Sequence, residues 1–370
     1  MLSCMQRVVG TAALVAITLL VGRPAPSAQE SRVPTARLVP ASKLTLPGRI
    51  DSNNPLVWHE ADSVRTLTAL TSWGGVPELA RGTALDHLAP DGAATFENHP
   101  GHGVWMEAVL PDDQGAWYGY YHHERPAEEC GRLDRQLPRI GAARSVDHGR
   151  TWVDLGVVFD APRGSAACTS TGRFVLGGVG DVSAMLDRDG QYVYLFFSQY
   201  ERDPSAQGVA VARMPWANRD EPGGALAVWN DGAWLPASPT FGEDGETPTG
   251  ATYPVGTPLV PATRPFHDGN AAADVYWGPA VHWNTHLEQY VMLLNRADNE
   301  AFKQEGIYVS FATVLDDPRA WSAPAKILNG GEWYPQAVGL EAGEGTDRLA
   351  GARARFFLTG TSSHTIEFQR

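Results

Sequence analysis

Charge is scarce in this 370-residue chain. Charged side chains make up 19% of it, and 42 acidic against 29 basic residues leave a formal net charge of -13. A field of that sign disfavours nucleic acid and anionic membrane as partners, and it suits a strongly acidic polymer poorly as substrate. Cysteine is nearly absent, at three residues. There is no CxxC and no zinc-type cysteine cluster. Neither a metal nor a cofactor is therefore expected. Sustained 3.6-residue periodicity is missing as well, which argues against a helical fold. Beyond residue 22 no apolar run is long enough to span a membrane.

What is present is glycine (39), proline (27) and aromatics: 12 Trp, 11 Tyr and 12 Phe. This is material for many short strands joined by tight turns, with enough apolar surface to bury. The N-terminus reads as an export signal over residues 1–28. Arg7 precedes an apolar run, residues 8–22, and RPAPSA follows with cleavage after Ala28. A secreted or periplasmic protein is expected, with no stable membrane insertion once the signal is removed. Loss of Arg7 and Arg23 makes the mature chain still more negative. Cys130 and Cys168 then form an even pair, either bonded or left as two buried thiols. Residues 29–44 are read as an N-terminal arm, and residues 45–370 as one domain.

That domain repeats a theme of strand, polar turn and strand. It recurs at 54–73, 104–124, 181–200, 276–297 and 333–361, and most units are followed by a second strand pair. Five units of about four antiparallel strands make an all-β, five-bladed β-propeller. Long loops at 83–103 and 235–273 are placed to shape a binding face. SVDHGRTW (145–152) has a compact local logic. Asp147 can accept turn amides, Gly149 permits positive φ, and Trp152 can pack beneath the turn. The spacing of Ser145, Asp147, Gly149, Thr151 and Trp152 resembles the Asp box of sialidases and related propellers, a structural turn and not a catalytic one.

RIDSNNPLVW (49–58), GDVSAML (180–186) and WGPAVHWN (277–284) resemble innermost-strand segments of five-bladed propeller glycoside hydrolases, the arabinanase, xylosidase and fructosidase-like clans. The Glu-Gly-Pro string of many such hydrolases is absent. The resemblance implies a glycan substrate and two carboxyl groups flanking the scissile bond, one donating a proton and one activating water or attacking directly. Asp51 and Asp181 match its acidic positions, as base and as base, orienter or modulator. Glu107, a lone acid in an apolar strand, is the first candidate for the acid, with Glu124 and Glu305 behind it. His102, His122, His282, Trp277 and Arg296 are the candidate substrate contacts. Other readings are a non-catalytic carbohydrate-binding propeller, a sialidase-like enzyme and a polysaccharide lyase.

Overall fold

The structure is a computed structural model. It describes residues 33–370 except 62, 163, 171–173, 238, 240–251, 265–271 and 300–302. Residues 1–28, read from sequence as an export signal, and His267 lie outside the described residues. Everything below concerns the unit Val33–Arg370.

Five antiparallel sheets of four or five strands form the blades of a propeller. Their innermost strands are Leu56–Ala61, Gly103–Pro111, Val179–Leu186, Tyr276–Asn284 and Gln336–Gly339. Each of the first four is joined to the next strand by a short hairpin, as the turn chemistry predicts. In the fifth, residues 340–352 intervene before Arg353–Leu358. The described residues contain 3-10 turns but no α-helix.

The blades stack on apolar side chains. One cluster, with Val57, Leu70, Met106, Trp117 and Trp152, joins the first and second blades. Others join the second to the third, the third to the fourth, the fourth to the fifth, and the fifth back to the first. Both faces of an inner strand are thus buried. That is why YVYLFFSQY reads as a continuous hydrophobic run and not as an alternation. Each fully buried large side chain contributes roughly 1.5–3 kcal/mol.

The N-terminal arm needs correction. Thr35–Thr45 is not outside the propeller but pairs with Thr361–Gln369 as the outermost strand of the last blade. Its two ends of sequence close the ring. The segment shows little apolar pattern because it is an edge strand, mostly half-buried or exposed. Pro40, which cannot donate to a ladder, is tolerated in that position.

The SVDHGRTW turn is built by its own side chains. Ser145 Oγ donates to Asp147 Oδ1 (2.8 Å) and accepts from Gly149 N (2.9 Å), while Asp147 Oδ1 also accepts from Thr151 N (2.8 Å). Gly149 has φ +83°, and buried Trp152 donates to its carbonyl. Cys130 and Cys168 are disulfide-bonded, with Cα atoms 5.0 Å apart.

Candidate active site

Three carboxyl groups, carried at the innermost strands of three blades, lie within one another's field, and a shared backbone device places two of them. In the second blade the register shifts between Met106 and Ala108, so Glu107 has no cross-strand partner. In the third it shifts between Gly180 and Ser183, freeing Asp181 and Val182. In the fourth it shifts between Trp277 and Ala280, at Gly278 and Pro279. Such bulges re-aim side chains that regular pleating would send into the sheet-to-sheet core. Serines on the preceding blades anchor two of them: Ser72 Oγ accepts from Met106 N (3.1 Å) and Ser198 Oγ from Gly278 N (3.0 Å). Asp51 lies in the segment entering the first innermost strand. Its amide donates to the Ser72 carbonyl (2.8 Å), and Ser52, Asn53 and Asn54 behind it are buried.

Asp181 is held on every side. Its backbone takes the left-handed conformation (φ +44°), which few residues other than glycine adopt readily. Tyr200 donates to Oδ2, and Tyr334 donates to Oδ1 at 3.3 Å. The Asp181 amide donates to His122 Nδ1 at 3.1 Å. A side chain on Gly180 would place its Cβ 2.2 Å from that same nitrogen, so only glycine fits there.

Glu107 is 3% exposed, and its Oε2 accepts the Val182 amide. Burial first, then the charge of Asp181 and further that of Asp51, push its pKa well above the usual carboxylate range; His122 and the Val182 amide act against them. Burial also raises the Tyr200 and Tyr334 hydroxyls well above their usual range, followed by the charge of Asp181, so both stay protonated donors.

His122 faces competing demands. Burial disfavours its charge, but the Glu124 hydrogen bond and the charges of Asp181, Glu107 and Glu124 raise its pKa to about 9. Accepting from the Asp181 amide requires a bare Nδ1, hence a neutral ring with its hydrogen on Nε2, 3.5 Å from Glu124. The neutral form is the one the hydrogen bond supports. Neighbouring His123 has no such conflict: Arg139 donates to its Nδ1 (2.9 Å), its Nε2 faces the Gly101 carbonyl (3.0 Å), and burial lowers its pKa to about 3.

The structure therefore brings together Asp51, Glu107, Asp181 and His122 of the residues singled out in the sequence, with Glu124 beside His122. It adds Tyr200 and Tyr334, which the sequence did not mark because tyrosines are plentiful and nothing local distinguishes these two. Four candidates stand elsewhere. His282 is five residues along its strand from Trp277, buried and packed against Phe368, its pKa lowered to about 3 by burial. Arg296 pairs with Glu305 (3.7 Å) beside the Tyr276 ring. Glu305 is thereby explained, since Tyr308 and Lys326 also bind it. His102 is exposed at the start of the Glu107 strand, its ring 6.0 Å from His123. Trp277 supports the site from within: 1% exposed, it donates to Gln304 Oε1 (3.2 Å) and sets its ring edge-on to Tyr334 at 5.7 Å. It has no face free for stacking on a sugar. Among the described residues no group of three or more His, Cys, Asp or Glu is arranged to hold a metal ion.

No protein-family model matches the chain, and no curated protein matches it. Solved structures of similar fold are glycoside hydrolases. A thermostable family-43 glycoside hydrolase is 14% identical over 88% of this chain and 91% of that chain, with a TM-score of 0.48. An endo-arabinase from Bacteroides thetaiotaomicron is 10% identical over 88% and 96%, with a TM-score of 0.46. The catalytic domain of a Coprinopsis cinerea GH62 alpha-L-arabinofuranosidase is 10% identical over 90% and 96%, with a TM-score of 0.45. At these identities the likeness is one of fold.

Proposed function

We propose that this chain is an exported glycoside hydrolase that cleaves a neutral glycan by paired carboxylate chemistry. The observation that carries the reading is the state of Glu107: a buried carboxyl beside Asp181 and within the field of Asp51, its pKa pushed well above the usual range. A carboxyl whose pKa is raised holds its proton to higher pH than an ordinary carboxylate, as a donor to a leaving oxygen must. In this reading Glu107 is the general acid. Its Oε2 is engaged by the Val182 amide, so Oε1 carries the proton. Asp51, half-buried at the opposite strand entrance, activates water or attacks. Asp181, with a tyrosine on each oxygen, does not turn over; its place beside Glu107 raises the pKa of that acid.

The same charges select the substrate. Asp51, Glu107, Asp181 and Glu124 converge with one imidazole, and the Arg139 guanidinium is turned to His123. A uronic or sialic acid carboxylate would meet like charge here, at a cost a neutral sugar avoids. Export is supported by the sequence of residues 1–28 and by the Cys130–Cys168 bond, which persists in oxidising compartments. N-terminal sequencing of the mature protein tests the cleavage site.

Turnover of neutral and acidic polysaccharides and aryl glycosides, with product mass as readout, tests the chemistry. Hydrolysis predicts water-added products that disappear in both Asp51→Asn and Glu107→Gln. Products lacking water would make it a lyase, and activity surviving both substitutions would remove these carboxylates from the reaction.

A further inference from the structure

Loops of the third and fourth blades border an open cavity of about 380 Å³. It lies away from the carboxylates. The strand Val179–Leu186 carries Asp181 near its start and runs into the turn Asp187–Gln191, which forms one wall. Five residues of strand separate the two, roughly 17 Å at about 3.3 Å each. The facing wall is residues 313–316 of the fourth blade.

Its chemistry is mixed in a particular way. Arg213 lies over the rings of Tyr192 (4.6 Å) and Trp234 (4.3 Å), and donates to Tyr194 Oη at 3.4 Å. Arg188 lies over Trp283 at 4.4 Å. Among the described residues neither guanidinium is in an ion pair, and Asp187 accepts the amides of Gln191 (2.7 Å) and Tyr192 (3.2 Å). Exposed Asp316 completes the rim, its carbonyl taking the Trp234 indole hydrogen. Guanidinium donors fixed over aromatic rings, beside the exposed carboxylates of Asp189 and Asp316, match the hydroxyls of a polyhydroxylated ligand, which both donate and accept. With both signs of charge at the rim, a neutral ligand meets no uncompensated field, and the volume lies within the range of ligand pockets.

We propose that this cavity is a second glycan-binding site, taking a segment of a neutral oligosaccharide and holding the protein on a polymer while the carboxylate end works on another stretch or chain. Tethering of this kind raises the effective concentration of substrate without altering the chemistry.

The test is retardation in native gels containing soluble arabinan, galactan, xylan or mixed-linkage β-glucan, beside turnover of a small aryl glycoside. Wild-type protein is retarded by at least one polymer. Arg213→Ala and Tyr192→Ala weaken that retardation at least tenfold, whereas Asp51→Asn keeps it. Asp316→Asn, on an exposed loop, weakens it as well and guards against a folding defect in the other two; melting temperature is read for all. Retardation unchanged in folded Arg213→Ala and Asp316→Asn, or no retardation of the wild type in any gel, overturns the proposal. Because binding is read apart from turnover, failure of the hydrolase reading leaves this result standing, and the reverse.

Discussion

The hydroxyl of Tyr334 lies 3.3 Å from Asp181 Oδ1, a contact between the segment leading into the fifth blade and the innermost strand of the third. Both partners have left-handed backbones, φ +53° for Tyr334 and +44° for Asp181. The contact spans the axis, so it reports whether the ring has closed correctly around the site. Tyr334→Phe removes one donor from a buried carboxylate and should cost about 1–3 kcal/mol of stability. If Asp181 must stay charged, kcat should also fall, about tenfold for each 1.4 kcal/mol lost in the transition state. Urea melts and steady-state kinetics on the same preparation separate the two effects. Unchanged kcat in a destabilised variant would make Tyr334 merely structural.

The pH profile offers a sharper test of the roles. Glu107 must be protonated to act as an acid, so the rate should fall on the alkaline side as it ionises. Asp181 raises its pKa by like charge. Asp181→Asn removes that charge, ionisation of Glu107 becomes easier, and the alkaline limb should move to lower pH. Glu107→Gln should abolish the limb with the activity. A limb that stays in place in Asp181→Asn would mean that another group donates the proton.

Much of this was legible in the sequence, for reasons that differ by residue. Hairpins with polar turns and aromatic strands are local signals, so five units are countable from sequence. Glu107 stood out because a single acid in VWMEAVL is costly to bury without a use. Tyr200 and Tyr334 did not, because their role depends on bulges and on closure between distant blades. Trp277 reads as a substrate contact from sequence because a Trp beside Gly278 and Pro279 marks a strand entrance; in the structure Trp333 and Tyr334 pack against its ring. The closing strand Thr35–Thr45 was hidden because an edge strand buries too little to show a pattern.

Glu201 carries a stability cost that the proposed reaction does not use. Burial raises its pKa to about 7, and its Oε1 is buried without a partner among the described residues. The unfolded chain titrates this group near 4.3. Between those values the folded state holds more protons, so stability declines as pH rises from about 4 to about 7 and stays reduced above. Glu201→Gln should leave stability unchanged near pH 4 and raise it by up to about 3 kcal/mol at pH 8. Denaturant titrations at both pH values decide this. Equal effects at the two pH values would place the cause in packing and not in ionisation.

Trp277 gives the last prediction, because support and binding call for different outcomes. As a buried prop it donates to Gln304 and sets its ring edge against Tyr334, which in turn holds Asp181. Trp277→Ala should cost about 3–5 kcal/mol through the cavity left behind. Trp277→Phe keeps a ring against Tyr334 and loses the Gln304 bond, so it should cost less and preserve most of kcat. Neither change should raise KM in a protein that remains folded, since no face of the indole is open to a sugar. A large rise in KM for folded Trp277→Phe, without loss of melting temperature, would return Trp277 to the substrate pocket.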